Sequence, residues 1–147
     1  MTSAYRHIAI GIDRTPEEVY AFVSDAANLP AWASGIGDSI EFVDGEWVVD
    51  SPGGRLEISF AAPNPFGVLD HLVTMNTGEV FYNPMRVIRS GTGSEVVFSL
   101  YRAAGAREEE YETDAATIAA DLATLKRLLE AAARDVAGHG DSVTMGT

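Results

Sequence analysis

REEEYETDAATIAADLATLKRLLEAAA, residues 107–133, decides how the rest of this chain must be arranged. Tyr111, Ala115, Ile118, Leu122, Leu125 and Leu129 recur at spacings of 4, 3, 4, 3 and 4, the period of one apolar stripe on an α-helix. Glu108, Glu109, Glu110, Glu112 and Asp114 crowd the start, while Lys126, Arg127 and Arg134 lie toward the end. That order of charge suits the helix dipole. At about 1.5 Å per residue the helix is roughly 40 Å long, longer than any strand available here. The helix is also uneven, small at Ala115, Ala116, Ala119 and Ala120 and bulky at Leu122, Leu125, Leu128 and Leu129. A sheet wrapped around it packs tightly at the bulky end and leaves room at the small end, which predicts a cavity beside residues 115–120.

The rest of the chain supplies that sheet. Ile8, Ile10 and Ile12 alternate with smaller or polar neighbours, a strand with one buried face. Thr15-Pro16-Glu17-Glu18 is a capping box with proline at the first helical position, and Val19, Phe22 and Val23 give the short helix its buried side. Asn28 to Ala33 reads as a second short helix capped by Asn28, so the pair forms a bent V. Six strands are then predicted, over residues 39–43, 46–50, 55–61, 68–75, 80–88 and 95–102, with Asp44-Gly45 as a strong hairpin turn between the first two. Strands that run together point to an α+β fold with a curved antiparallel sheet of about seven strands, ordered β-α-α-β6-α.

The 147 residues suit one domain with a real core, expected over 1–137, and residues 138–147, GHGDSVTMGT, lack periodicity and are expected to be a flexible tail. No apolar run approaches the roughly 20 residues of a spanning helix, and the N-terminus lacks the pattern of a secretory signal. A cytoplasmic location is therefore expected. Without cysteine there is no disulfide, thiolate ligand or cysteine nucleophile. A formal net charge of −12 argues against nucleic acid and against anionic membrane surfaces as partners, and suits solubility.

Several segments together resemble the SRPBCC superfamily, the helix-grip fold of START, polyketide-cyclase and pollen-allergen-like proteins. They are IGIDRTPEEVY (10–20), FVSD (22–25), LPAW (29–32), GTGSEVVF (91–98) and DLATLK (121–126), so the likeness covers residues 6 to 133. The resemblance implies a cavity between sheet and helix; it does not imply a reaction. One departure is the segment AGAR (104–107), where relatives often carry a serine or aspartate cap and only Gly105 has any cap preference.

Strand alternation selects the wall of the expected cavity: Trp47; Ile58 and Phe60; Leu69, His71 and Val73; and Phe98. Trp32 closes one mouth, and Ala115, Ile118 and Ala119 form the helix side. Such a set makes an apolar site for a small hydrophobic or aromatic molecule. His71 is the candidate acid or base, since imidazole titrates near neutral pH. The plainer alternative for it is a satisfied, partly buried histidine. Tyr82 and Arg86 share a parity, but Pro84 leaves their face open; inward, Arg86 would meet a ligand carboxylate or enolate. His7, His71 and His139 show no metal-ligand spacing, and no nucleotide or nucleophile-elbow motif occurs, so neither metal nor cofactor is expected. Three functions compete: a small-molecule binder, a cyclase/dehydratase-like or aromatase-like enzyme, and an interaction module with a collapsed cavity that works through its acidic surface or a homodimer face.

Overall fold

The computed structural model describes residues 4–37 and 39–145, with side chains through residue 132. Strand β1 (Tyr5–Ile12) leads to helix α1 (Pro16–Val23). The Thr15 hydroxyl accepts the Glu18 N–H at 3.2 Å and donates to the Glu18 carboxylate at 2.9 Å, so the capping box closes. A 3-10 turn (Ala26–Asn28) joins α1 to α2 (Leu29–Trp32). Asn28 does not cap α2; its amide donates back to the Phe22 carbonyl at 3.0 Å and fastens the V.

After a second 3-10 turn (Ser34–Ile36) come β2 (Glu41–Val43), β3 (Glu46–Ser51), β4 (Gly54–Phe60), β5 (His71–Met75), β6 (Val80–Asn83), β7 (Met85–Ser90) and β8 (Gly93–Tyr101). Asp44 and Gly45 both take positive φ, 51° and 83°, as a two-residue hairpin of the primed type demands. Pairing is antiparallel throughout, in the orders β1-β8-β7 and β2-β3-β4-β5-β6. The strand expected over 80–88 is broken at Pro84, which has no N–H to give a ladder. On one side of Pro84 the chain pairs with β5 and on the other with β8, which raises the count to eight strands.

The expected strand 68–75 is also divided. The Leu69 N–H donates to the Met85 carbonyl at 2.8 Å and the Val87 N–H to the Gly67 carbonyl at 3.0 Å, so residues 67–69 lie along β7 before the chain crosses to β5. Gly67 is required there: its φ is +74°, and a Cβ would stand 2.3 Å from the Val87 carbonyl oxygen. The two sheet segments thus meet at one corner and form a curved wall around the last helix, α3 (Glu108–Met145).

The helix backbone continues to Met145, through most of the segment expected as a tail; residues 146–147 lie outside the described residues. Tyr111, Ala115, Leu122, Leu125 and Leu129 are all buried, as the stripe predicts, whereas Leu128 lies off it and is exposed. The second half is tied to β1 and its exit. Lys126 Nζ donates to the Gly11 carbonyl at 2.8 Å, the Asp13 N–H donates to the Glu130 carboxylate at 2.9 Å, and Arg14 reaches the Leu129 carbonyl. Near the start, the Tyr111 hydroxyl donates to the Leu100 carbonyl at 3.2 Å. The guanidinium groups of Arg6 and Arg102 lie 5.0 and 5.5 Å from the Tyr111 ring centre and pair with Glu112 and Glu108.

Candidate ligand-binding cavity

The register aligns apolar side chains in rows across the concave face. Trp47, Ile58, Val73 and Phe81 are successive cross-strand partners, and so are Phe60, His71 and Asn83. Between this face and the first half of α3 lies a cavity of about 910 Å³. Ile58, His71, Val73, Phe98 and Leu100 line its sheet side, Leu29, Trp32 and Ile36 the side of α2 and the turn after it, and Tyr111, Asp114, Thr117, Ile118, Asp121 and Leu122 its helix side. At the mouth stand Tyr5, Val80, Phe81, Tyr82 and Tyr101, each exposed. The volume is that of small-molecule sites, roughly 300–1,000 Å³.

His71 sits between two aromatic rings, with centres 5.0 Å from Phe60 and 5.9 Å from Phe98. Its Nδ1 lies 3.1 Å from the Leu69 carbonyl oxygen, which can only accept, so Nδ1 carries the proton. Burial lowers the pKa below the usual 6.5, outweighing the Leu69 carbonyl and the Asp70 charge, which raise it. At neutral pH the ring is therefore uncharged, with Nε2 as a bare acceptor. A folded-state pKa below the unfolded value means that the unfolded chain binds the extra proton first as pH falls. Stability is accordingly unaffected by His71 above about pH 6.5 and declines below it, by at most about 1.4 kcal/mol per pH unit. In urea titrations from pH 7.5 to 5, His71→Gln is expected to flatten that slope; an unchanged slope would assign it to other groups.

Asp70 points away from His71 and gathers the corner of the wall. Its carboxylate accepts from the Met85 N–H at 2.9 Å, the Tyr82 hydroxyl at 2.8 Å, and Arg86 Nε and Nη2 at 3.0 and 2.7 Å. Burial works to raise its pKa, but the Arg86, Met85 and Tyr82 donors overcome that and hold it below the usual aspartate value.

Of the residues selected from the sequence, Trp32, Ile58, His71, Val73, Tyr82, Phe98 and Ile118 line this one cavity. Trp47 and Phe60 belong to a second hollow of about 340 Å³ with Tyr20 and Phe42, and Ile58 borders both. Leu69 is core, 1% exposed. Arg86 faces out, held by Asp70, so it is not available to a ligand inside. Ala115 is buried without lining the cavity, and Ala119 is exposed. The reason is helical phase. At about 100° per residue, Ala115 and Ala119 fall on one flank of the stripe, and Glu110, Asp114, Thr117 and Asp121 fall on the other, where the cavity lies. The spacing 4, 3, 4 of that acidic row runs parallel to the apolar stripe and was the available signal for it. Trp32 Nε1 is buried without a hydrogen-bond partner.

Among the described residues no three histidine, aspartate or glutamate side chains group as a metal site, and no helix is long and apolar enough to cross a membrane. No protein-family model matches the chain, and no curated protein sequence matches it. Solved structures do. The architecture is the helix-grip fold, an antiparallel wall closed by a long C-terminal helix, and it recurs in proteins of low identity. Ara h 8.0201 is similar at a TM-score of 0.63 and 15% identity, over 88% of this chain and 99% of that one. DynU16, from the dynemicin biosynthetic locus, gives 0.66 and 16%, over 88% of this chain and 48% of its own length. The Aha1 dimer from Colwellia psychrerythraea gives 0.69 and 16%, over 86% and 96%. At such identities the likeness is one of fold.

Proposed function

We propose that the protein binds a small hydrophobic or aromatic molecule in the cavity between the curved sheet and α3. The observation that carries this reading is the cavity of about 910 Å³, walled mostly by aliphatic and aromatic side chains and entered between exposed aromatics. A collapsed core would have favoured the interaction module instead. The fold neighbours support a ligand-holding role without naming a ligand. Thr117 tests the reading, because it lines the cavity yet is exposed and bonds only the Thr113 carbonyl. Thr117→Trp is expected to weaken binding of the neutral fluorophore N-phenyl-1-naphthylamine by about tenfold or more, with little change in melting temperature. Equal titration curves for the two proteins would place the probe elsewhere and remove the support.

A second reading, a cyclase/dehydratase-like activity, rests on one observation, the uncharged His71 with its Nε2 free to take a proton from a bound molecule. The Tyr82 and Arg86 groups that would assist it are engaged by Asp70. In this reading His71 acts alone, as general base.

A further inference from the structure

The polar groups on the cavity wall are unevenly matched. Several of the donors bordering it are already engaged by protein acceptors: Tyr111 by the Leu100 carbonyl, Tyr82 by Asp70, Thr117 by the Thr113 carbonyl and His71 Nδ1 by the Leu69 carbonyl. The charged side chains that border it are all carboxylates. The flank of α3 beside the stripe contributes Glu110, Asp114 and Asp121, and the turn before β6 contributes Glu79 from the sheet side. No lysine or arginine lines the space. Glu110 pairs with Arg107, and Asp121 accepts the Ser34 N–H at 3.2 Å. Asp114 and Glu79 have no side-chain partner among the described residues. His71 Nε2 adds a further acceptor on the wall, and the tilted rings of Tyr5 and Tyr101, with centres 5.5 Å apart, stand at the mouth, where aromatic rings suit a cation.

We infer that the molecule this cavity takes is a hydrophobic amine, its apolar body against Ile58, Val73 and Phe98 and its ammonium group between the Asp114 row and Glu79. The inference rests on the cavity being a binding site and adds the sign of the ligand's charge. Carboxylates of the same shape are disfavoured by repulsion from the row, and no lysine or arginine on the wall meets their charge. The donors left to them are uncharged, the Asn83 amide and the Tyr5 and Tyr101 hydroxyls, while Trp32 Nε1 is covered.

The test uses three probes on one ring: 2-naphthylmethylamine, 2-naphthol and 2-naphthoate, titrated calorimetrically into the full chain at pH 7 and low salt. The amine is expected to bind about tenfold tighter than the naphthol, with the naphthoate weakest, and the margin is expected to shrink in 0.5 M salt. Asp114→Asn with Glu79→Gln should reduce the amine-to-naphthol ratio about threefold or more. The distant exposed pair Asp50→Asn with Glu95→Gln, which changes net charge equally, should leave it unchanged. If the naphthol binds and the amine binds no tighter, the charge assignment is overturned while the cavity reading stands. If both pairs of substitutions act alike, the preference comes from the protein's overall charge, and the assignment to this row is overturned. If none of the three binds, the cavity reading itself fails, and this inference with it.

Discussion

Leu125→Ala is expected to destabilise the protein by about 2–5 kcal/mol, because it removes a fully buried side chain from a core that cannot follow it. Leu125 is 0% exposed and belongs to the same buried cluster as Val19, Val23, Val96 and Leu122. These come from α1, β8 and α3, three elements held in place by the whole fold, so collapse around the missing atoms is restricted. In a domain of this size each kcal/mol moves the melting temperature by about 2–4 °C. A fall of about 5–15 °C should therefore be seen by calorimetry, with a matching loss in urea titration. Leu125→Met keeps the volume and should cost less than about 1.5 kcal/mol. Similar losses for the two variants would mean that the site is not tightly packed.

Asp70→Ala should also cost several kcal/mol, about 2–4, through a different mechanism. The carboxylate is the acceptor for the main-chain N–H of Met85, a residue 0% exposed, and for two side chains besides. Its removal leaves a covered N–H without a partner at the corner where β6 passes through Pro84 into β7. Arg86→Ala should cost no more than about 1 kcal/mol, since the guanidinium is 47% exposed and can return to water. Equal losses would show that the ion pair, and not the Met85 N–H, matters there. The pH dependence has a definite sign. The folded-state pKa of Asp70 lies below the unfolded value near 3.8, so its contribution is complete above about pH 4 and is lost as pH falls through the folded value. Asp70→Asn should weaken that acid sensitivity.

The elements most legible in the sequence are those whose signal is local and strong. The capping box at Thr15, the Asp44-Gly45 hairpin and the stripe from Tyr111 to Leu129 all depend on neighbours within a few residues, and all take the form expected. The bend at Pro84 was visible as a proline in a strand pattern, but not its result. Whether a broken strand stays with one partner or changes partners depends on Gly67 and Asp70, brought there by tertiary contact. The cavity's sheet side was largely readable, because alternation places Ile58, Val73 and Phe98 on one face. Its helix side was not. Side-chain size directed attention to Ala115 and Ala119, whereas the rotation of α3 against β1, fixed by Lys126 and Glu130 on the strand's exit, turns the other flank inward. A few tens of degrees about a helix axis decide which flank meets the space, and an isolated sequence does not carry that angle.

The division of α3 bears on how such a protein can change over generations. Leu122, Leu125 and Leu129 hold the chain together, so substitutions there are removed by selection against unfolding. Glu110, Asp114 and Thr117 border the cavity, yet they are exposed and make few bonds that the fold depends on. That flank can drift in charge and size at little risk to folding, and the taste of the cavity can be revised while the scaffold is conserved. A single helix thereby keeps an old architecture and a new specificity within three turns of each other.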